Sequence, residues 1–283
     1  MPSLRTLLVL GRTSNLPTVW SNCLAAWWLG GAGNQNRLPL LLGGSTLLYV
    51  GGMFLNDAFD AGFDQQYRRE RPIPSGAISA RAVWQFSALL LISGAACLFL
   101  IGNLTGILGI ALVGAIILYD ALHKLITFSP LLMASCRFLL YLLAASTASL
   151  GITGWVVWCA LALASYIVGL SYLARKESTG LQVRYWPCLF LALPVLLAYL
   201  MNTEEFREKA LLLSAVFGLW VVRCLRFTYR PSERNIGKSV AGLLAGIVWV
   251  DLLAVADVPR EFAVVFLGLF LLALAFQKFV PAT

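Results

Sequence analysis

Histidine is almost missing from this chain: His123 is the single one in 283 residues. Charge is scarce too, since Asp, Glu, Lys and Arg together make up 12%. One histidine cannot build a His-based metal cluster, and the sequence holds no Ser-His-Asp arrangement, glycine-rich nucleotide loop or Cys/His cluster. The six cysteines, Cys23, Cys97, Cys136, Cys159, Cys188 and Cys224, form no close pair. Most fall inside apolar runs, so they read as packing thiols and not as disulfides or metal ligands. No small-residue cleavage site precedes the first long apolar run, and no removable signal peptide is expected.

What the chain does have is apolar length. It is 60% hydrophobic with nine Trp, and its mean hydropathy is +0.82, a composition unlike that of soluble globular domains. Runs long enough to cross a hydrocarbon core of about 30 Å recur throughout. Helices are expected near 16–33, 38–58, 82–102, 104–122, 130–151, 155–174, 185–201, 209–229, 237–256 and 261–280. The runs are continuous, not alternating, which excludes a transmembrane barrel. The expectation is an all-α, polytopic transmembrane bundle of nine to ten helices, forming one domain over residues 1–283.

The net charge of +8 does not point to nucleic acid, because of where it lies. Of the 21 Lys and Arg, only Arg37, Arg207, Lys209 and Arg260 fall on one side of the expected bundle, and Arg137 sits within a helix. The other 16 lie on the opposite side. The positive-inside rule makes that side, with the amino terminus, cytoplasmic.

Against this apolar background one stretch is anomalous: Asn56-Asp57-Ala58-Phe59-Asp60-Ala61-Gly62-Phe63-Asp64. Ionisable residues at a bilayer mark function by default. On a helix, Asn56, Asp60 and Asp64 fall at i, i+4 and i+8, about 40° apart per step on one stripe, with Asp57 on the flank. Stacked carboxylates repel, and at the carboxyl end of the second helix the dipole adds to the repulsion. A divalent cation would relieve both. Next comes the basic segment Gln65-Gln66-Tyr67-Arg68-Arg69-Glu70-Arg71-Pro72-Ile73-Pro74-Ser75-Gly76, with Ser79 as start signal of the third helix. Its arginines either follow the positive-inside rule and neutralise the aspartates or form a lid that meets a phosphate.

Other polar residues reach the same face. Tyr119-Asp120-Ala121-Leu122-His123-Lys124 ends the fourth helix; Asp120 and Lys124 either pair at i, i+4 or serve a substrate. His123 reads as an interfacial or packing residue. Ser129-Pro130 starts the fifth helix, and Arg137 lies roughly 10 Å in by helical rise, facing a cavity as an anion ligand or held in a structural pair. The sixth helix ends in Tyr172-Leu173-Ala174-Arg175-Lys176-Glu177, a snorkelling end or a second part of the site. Asp251, some fifteen residues into the ninth helix, is placed near the far interface and outside the site.

Mg²⁺ is usually held by one or two carboxylates together with substrate phosphates. A carboxylate ladder beside arginines, at the mouth of an apolar bundle, suits an amphiphile with a diphosphate head and a tail among the helices. For an allylic diphosphate the metal would stabilise charge on the departing group, and Phe59, Phe63 and Tyr67 either offer faces to an allylic cation or serve as packing and interface residues.

Asn56-Asp57-x-x-Asp60-x-x-x-Asp64, followed by Arg71-Pro72-Ile73-Pro74-Ser75-Gly76, resembles the first aspartate-rich motif of the UbiA superfamily of intramembrane prenyltransferases. Arg12-Thr13-Ser14-Asn15-Leu16-Pro17 resembles the family's lead-in to helix 1. The resemblance implies an all-α bundle, usually of nine helices, around a central cavity. It also implies Mg²⁺-dependent transfer of a prenyl chain from its diphosphate to an aromatic or other lipophilic acceptor. Carried over, Asn56, Asp60 and Asp64 would bind diphosphate through Mg²⁺ with Asp57 assisting, and Arg137 matches a cavity-facing arginine of helix 5. Asp60, Asp64 and Arg137 are the expected catalytic residues. Asn56, Asp57, Arg68, Arg71, Tyr119, Lys124, Arg175, Lys176 and Glu177 are the expected substrate contacts. Where the family has two aspartates at the end of helix 6, this chain has Glu177 beside Arg175 and Lys176, which implies one Mg²⁺ with direct Arg and Lys contacts to the diphosphate. The family's Tyr-x-x-x-Lys element is also altered, since Tyr119 and Lys124 are five apart. The expected partners are a prenyl diphosphate, a lipophilic acceptor and membrane lipids. Transfer of a phosphorylated sugar to a polyprenyl phosphate, or non-catalytic transport of a lipid phosphate, are the alternatives; acidic residues gathered at one face and not at the midplane count against transport.

Overall fold

The computed structural model describes residues 2–177, 184–201 and 204–282, without the side chains of Lys176, Glu177, Met201, Glu204, Glu205, Phe206 and Pro231. Among the described residues there are helices and no strand. In chain order they are α1 (Leu4–Leu10), α2 (Leu16–Leu29), α3 (Leu38–Tyr67), α4 (Ala80–Phe99), α5 (Asn103–Leu122), α6 (Ser129–Ala145), α7 (Gly154–Glu177), α8 (Pro187–Met201), α9 (Glu204–Tyr229), α10 (Ile236–Ala245), α11 (Ile247–Ala254) and α12 (Arg260–Phe276). Among the described residues six spans are long and apolar enough to cross a membrane: Gln35–Tyr67, Ala80–Phe99, Asn103–Leu122, Gly154–Arg175, Arg207–Tyr229 and Ile236–Ala254. Ser129–Ala145 and Pro187–Leu200 are apolar but shorter. This is an integral membrane protein. Leu104, Ile107, Ile110, Leu189, Leu212, Leu219 and Leu271 are exposed on the outer helix faces, which lipid and not water would cover.

Each expected apolar segment overlaps a helix, but several limits differ. The second helix does not stop at 58: α3 runs on to Tyr67, so the acidic stretch lies inside it and only Asp64 reaches its last turn. The segment near 237–256 is two helices, broken at Gly246. Tyr166 on α7 approaches closely there and donates to the Leu243 carbonyl at 2.8 Å, and a Cβ on Gly246 would stand 2.8 Å from its hydroxyl. Ser79 caps α4, accepting from the Ala82 N–H, and Ser129-Pro130 opens α6, as their sequence signals indicate.

Helices α3 and α4 pack backbone to backbone. A Cβ on Gly94 would meet the Gly44 carbonyl at 2.9 Å, and Ser87 donates to the Gly51 carbonyl at 2.8 Å. Small residues allow this approach in a medium where apolar burial drives little helix association. Helix α2 is central, contacting α3, α6, α7, α11 and α12. Leu41, Leu48, Leu98, Tyr141, Leu143, Leu163 and Tyr166 fill the interior around it. All six cysteines are free.

Candidate active site

Helix geometry puts Asn56, Asp60 and Asp64 on one stripe of α3, and packing buries all three together with Asp57 and Asp120. Arg12, Lys124 and His123 contribute partners from outside that helix. Arg12 lies between α1 and a short 3₁₀ turn over Thr13–Asn15, at φ 40°, ψ 48°. A non-glycine residue in this left-handed region is uncommon and strained. The turn brings its guanidinium to Asn56 Oδ1 at 3.0 Å and to Asp57 Oδ1 at 3.3 Å. Arg71 reaches the same Asp57 oxygen at 3.9 Å.

On the other side of the stripe, Asp60 Oδ1 pairs with Lys124 Nζ at 2.6 Å and lies 3.4 Å from His123 Nε2. Asn56 donates its amide to Asp120 Oδ1 at 2.9 Å. The i, i+4 pair of Asp120 with Lys124 is therefore not formed: Lys124 turns to Asp60, and Asp120 to Asn56. His123, expected as an interfacial or packing residue, makes polar contacts as well as a ring contact. Its Nδ1 contacts the Asp120 carbonyl at 3.0 Å and its ring stacks on Tyr119 at 5.1 Å between centroids. Burial opposes charge on this imidazole, but the hydrogen bond and negative charge of Asp60 outweigh it and raise the His123 pKa above its ordinary 6.5.

Asp57 and Asp60 thus have protein counter-charges, one from the expected basic segment at Arg71 and the others from Arg12 and Lys124, far away in sequence. Two carboxylate oxygens do not: Asp64 Oδ1 and Asp120 Oδ2 are buried without a hydrogen-bond partner among the described residues. Orphaned buried acceptors of this kind call for a cation or a donor. Among the described residues no three His, Cys, Asp or Glu side chains stand where they could jointly hold a metal. A Mg²⁺ held by one or two carboxylates and completed by phosphate oxygens needs no such trio, and the hard oxygen set of Asn56, Asp60, Asp64 and Asp120 fits that ion.

Asn56, Asp60 and Asp120 border a cavity of about 1230 Å³. Its mouth is lined by Arg12, Asn56, Asp60, Arg68, Arg71, Tyr119, Asp120, His123, Lys124 and Arg175; deeper walls are Leu112, Ile116, Met133, Leu140, Ile167 and Leu170. Asp57 and Asp64 do not line it and stand behind the mouth. Lys124 also lies over the Phe63 ring, 4.0 Å from its centroid. Arg175 anchors the α5–α6 connection, donating to the carbonyls of Ile126 at 3.2 Å and Thr127 at 2.8 Å and to Ser129 Oγ at 3.0 Å. The side chains of Lys176 and Glu177 lie outside the described residues.

Arg137 lines the cavity wall, and α2 holds its guanidinium. Nη1 donates to Asn22 Oδ1 at 2.7 Å and to the Thr18 carbonyl at 3.3 Å, and Nη2 to Thr18 Oγ1 at 3.0 Å. Asn22 in turn donates to Asp251 Oδ2 at 2.7 Å, and Ser21 to the same oxygen at 2.5 Å. Asp251 is therefore not at the far interface but fully buried, one amide away from Arg137. Counting residues along one straight helix misplaces it, because α10 and α11 are separate helices joined at Gly246.

Arg12, His123 and Asp251 are the residues sequence reasoning left out of the site. Arg12 carried a signal in its position ahead of Ser14-Asn15-Leu16-Pro17, and His123 in its adjacency to Lys124. Asp251 carried none beyond being an acid in an apolar run.

The model of the UbiA prenyltransferase family matches residues 14–179. Over 91 residues the chain is 38% identical to a digeranylgeranylglyceryl phosphate synthase of Methanothrix thermoacetophila, a match covering 31% of this chain and 34% of that protein. It is 31% identical over 116 residues to a protoheme IX farnesyltransferase of Macrococcus caseolyticus, covering 39% of this chain and 38% of that protein. The chain thus spans little more than a third of the length of these curated relatives. A solved UbiA homologue from Aeropyrum pernix K1 shares the fold with a TM-score of 0.67 at 16% identity, covering 88% of this chain and 98% of that one. A structure reported for digeranylgeranylglyceryl phosphate synthase does so with 0.63 at 19% identity, covering 89% and 98%.

Proposed function

We propose that this chain, which belongs to the UbiA prenyltransferase family, transfers a prenyl group from an allylic prenyl diphosphate to an aromatic or other lipophilic acceptor within the membrane. The observation that carries the reading is the two-part cavity: a mouth of cations and carboxylates above apolar walls large enough for a lipid tail.

Arg68, Arg71 and Lys124 at the mouth take the diphosphate oxygens through charge-assisted hydrogen bonds. Asp57 holds Arg12 and Arg71 in place for that task. Asn56, Asp60 and Asp120 at the mouth, with the unpartnered Asp64 oxygen behind them, would hold Mg²⁺ against the diphosphate. When bound, the ion supplies stabilisation of the charge that develops on the departing diphosphate. The tail lies along Leu112, Ile116 and Leu140, where water is excluded and the allylic carbon is protected from hydrolysis. The Tyr119 face at the mouth stabilises positive charge on that carbon. Arg137, fixed by Thr18 and Asn22, orients polar groups of the substrates from the wall. The bundle crosses the membrane nine or ten times with the mouth and the amino terminus on the cytoplasmic face, the side rich in Lys and Arg.

The two relatives named above carry names with different products; on this reading the acceptor is set by the walls and not by the acidic motif. Purified protein with Mg²⁺, an allylic prenyl diphosphate and a panel of lipophilic acceptors should release diphosphate and form a prenylated product. Full turnover by both Asp60→Asn and Asp64→Asn would remove the site assignment. Consumption of a sugar diphosphate without any allylic donor would replace the reaction.

A further inference from the structure

A second cavity, of about 310 Å³, opens among α2, α6, α7, α8 and α11. This is the small end of the range of ligand cavities. It lies toward the other end of α2: that helix starts beside Arg12, and Trp28, which lines this cavity, is about 18 Å further along by helical rise. Among the described residues no Lys, Arg or His lines it, although the chain carries a net charge of +8; two carboxylates, Asp251 and Asp257, do.

Asp251 is fully buried and only half satisfied. Ser21 and Asn22 both donate to Oδ2, and Oδ1 has no hydrogen-bond partner among the described residues. The hydroxyl of Tyr141, also fully buried and lining the cavity, has none either. The link through Asn22 to Arg137 uses Oδ2 and accounts for an acid at this depth. It does not account for the second, orphaned oxygen of a residue that borders the cavity, which is costly to bury. Trp28 and Trp155 add indole faces to the lining, and Asp257 stands exposed at the rim.

A buried acceptor, a second acid at the rim, aromatic faces and no competing cation among the described residues select a positively charged ligand with apolar substituents, which carboxylates and indole faces hold together. We infer that this cavity binds an organic ammonium group, whether it belongs to a lipid headgroup or to a free amine. The site is separate from the diphosphate mouth and does not depend on the proposed transfer reaction.

The test is thermal unfolding of the full chain in phosphatidylglycerol nanodiscs, with choline chloride or sodium chloride at equal ionic strength. Choline should raise the Tm in a saturable way while sodium chloride does not, because a ligand bound only by the native state stabilises it. Asp257→Asn and Trp155→Leu, both at the exposed rim, should each raise the apparent Kd at least about threefold by loss of charge or ring contact. Asp251→Asn should abolish the shift; if that variant does not fold, the two rim variants decide. In phosphatidylcholine nanodiscs, loss of the choline shift identifies the lipid headgroup as occupant, and its persistence identifies a free amine. Equal shifts with choline and sodium chloride, or an unchanged Kd in both rim variants, overturn the inference.

Discussion

The two cavities share a bundle and the helix α2, yet their linings are electrostatic opposites. The larger gathers Arg12, Arg68, Arg71, Lys124, His123 and Arg175 around two buried acids at its mouth. Among the described residues the smaller has two acids, indoles and no cation. The net charge of the chain therefore says little about either site, because cations follow topology while cavity linings follow which helix ends meet. Between the two lies the line Arg137–Asn22–Asp251, in which a buried cation and a buried acid share one amide. Each charge is tolerable at that depth because the other is near.

The comparison can be broken most severely at the carboxylate stripe. Asp60→Asn and Asp64→Asn should each lower kcat for diphosphate release by roughly 10²-fold or more, the scale set by losing one preorganised electrostatic group, while leaving the choline-dependent Tm shift intact. Arg71→Ala should raise KM for the prenyl diphosphate about tenfold or more, since a hydrogen bond to a charged group contributes ~1.5–3 kcal/mol. Steady-state kinetics with one acceptor separates these two effects.

Cutting the connection tests whether the cavities are independent. Asn22→Ala leaves Arg137 and Asp251 each short of a hydrogen bond in a buried setting, and should cost ~1–3 kcal/mol of stability, read as a lower Tm. A wild-type Tm in this variant would show that the amide carries no structural weight.

The smallest effect concerns pH at the mouth. Because Asp60 raises the folded-state pKa of His123 above 6.5, the pair contributes stability that is complete below about pH 6.5 and lost as pH rises through the raised value. His123→Gln should flatten that part of the Tm profile, and a profile identical to wild type would remove His123 from the pair.

How much of this was legible beforehand varied with the range of the interaction. The acidic stripe was visible because i, i+4 spacing is local, and the cap at Ser79 and the start at Ser129-Pro130 for the same reason. The extent of α3 was not, since no breaker follows Asp57 and the polar residues to Tyr67 resemble a loop in composition. The electrostatic anomaly itself was half an artefact of reading along the chain: counter-charges to Asp57 and Asp60 come from Arg12, 45 residues away, and from Lys124 at the end of α5. Asp120 and Lys124 show the limit of the spacing argument, because tertiary partners outcompeted an i, i+4 pair that contributes only a few tenths of a kcal/mol.

By itself, the sequence determined that the chain is an all-helical membrane protein and where its acidic motif lies, since apolar length and helical spacing are written within single segments. Only tertiary structure decided what each charge meets. The contacts that make Arg137 a wall residue, and leave Asp251 with one oxygen free, join positions 119 and 229 apart. Such pairs depend on how helices lean and break, as at Gly246, and no local pattern encodes the meeting point.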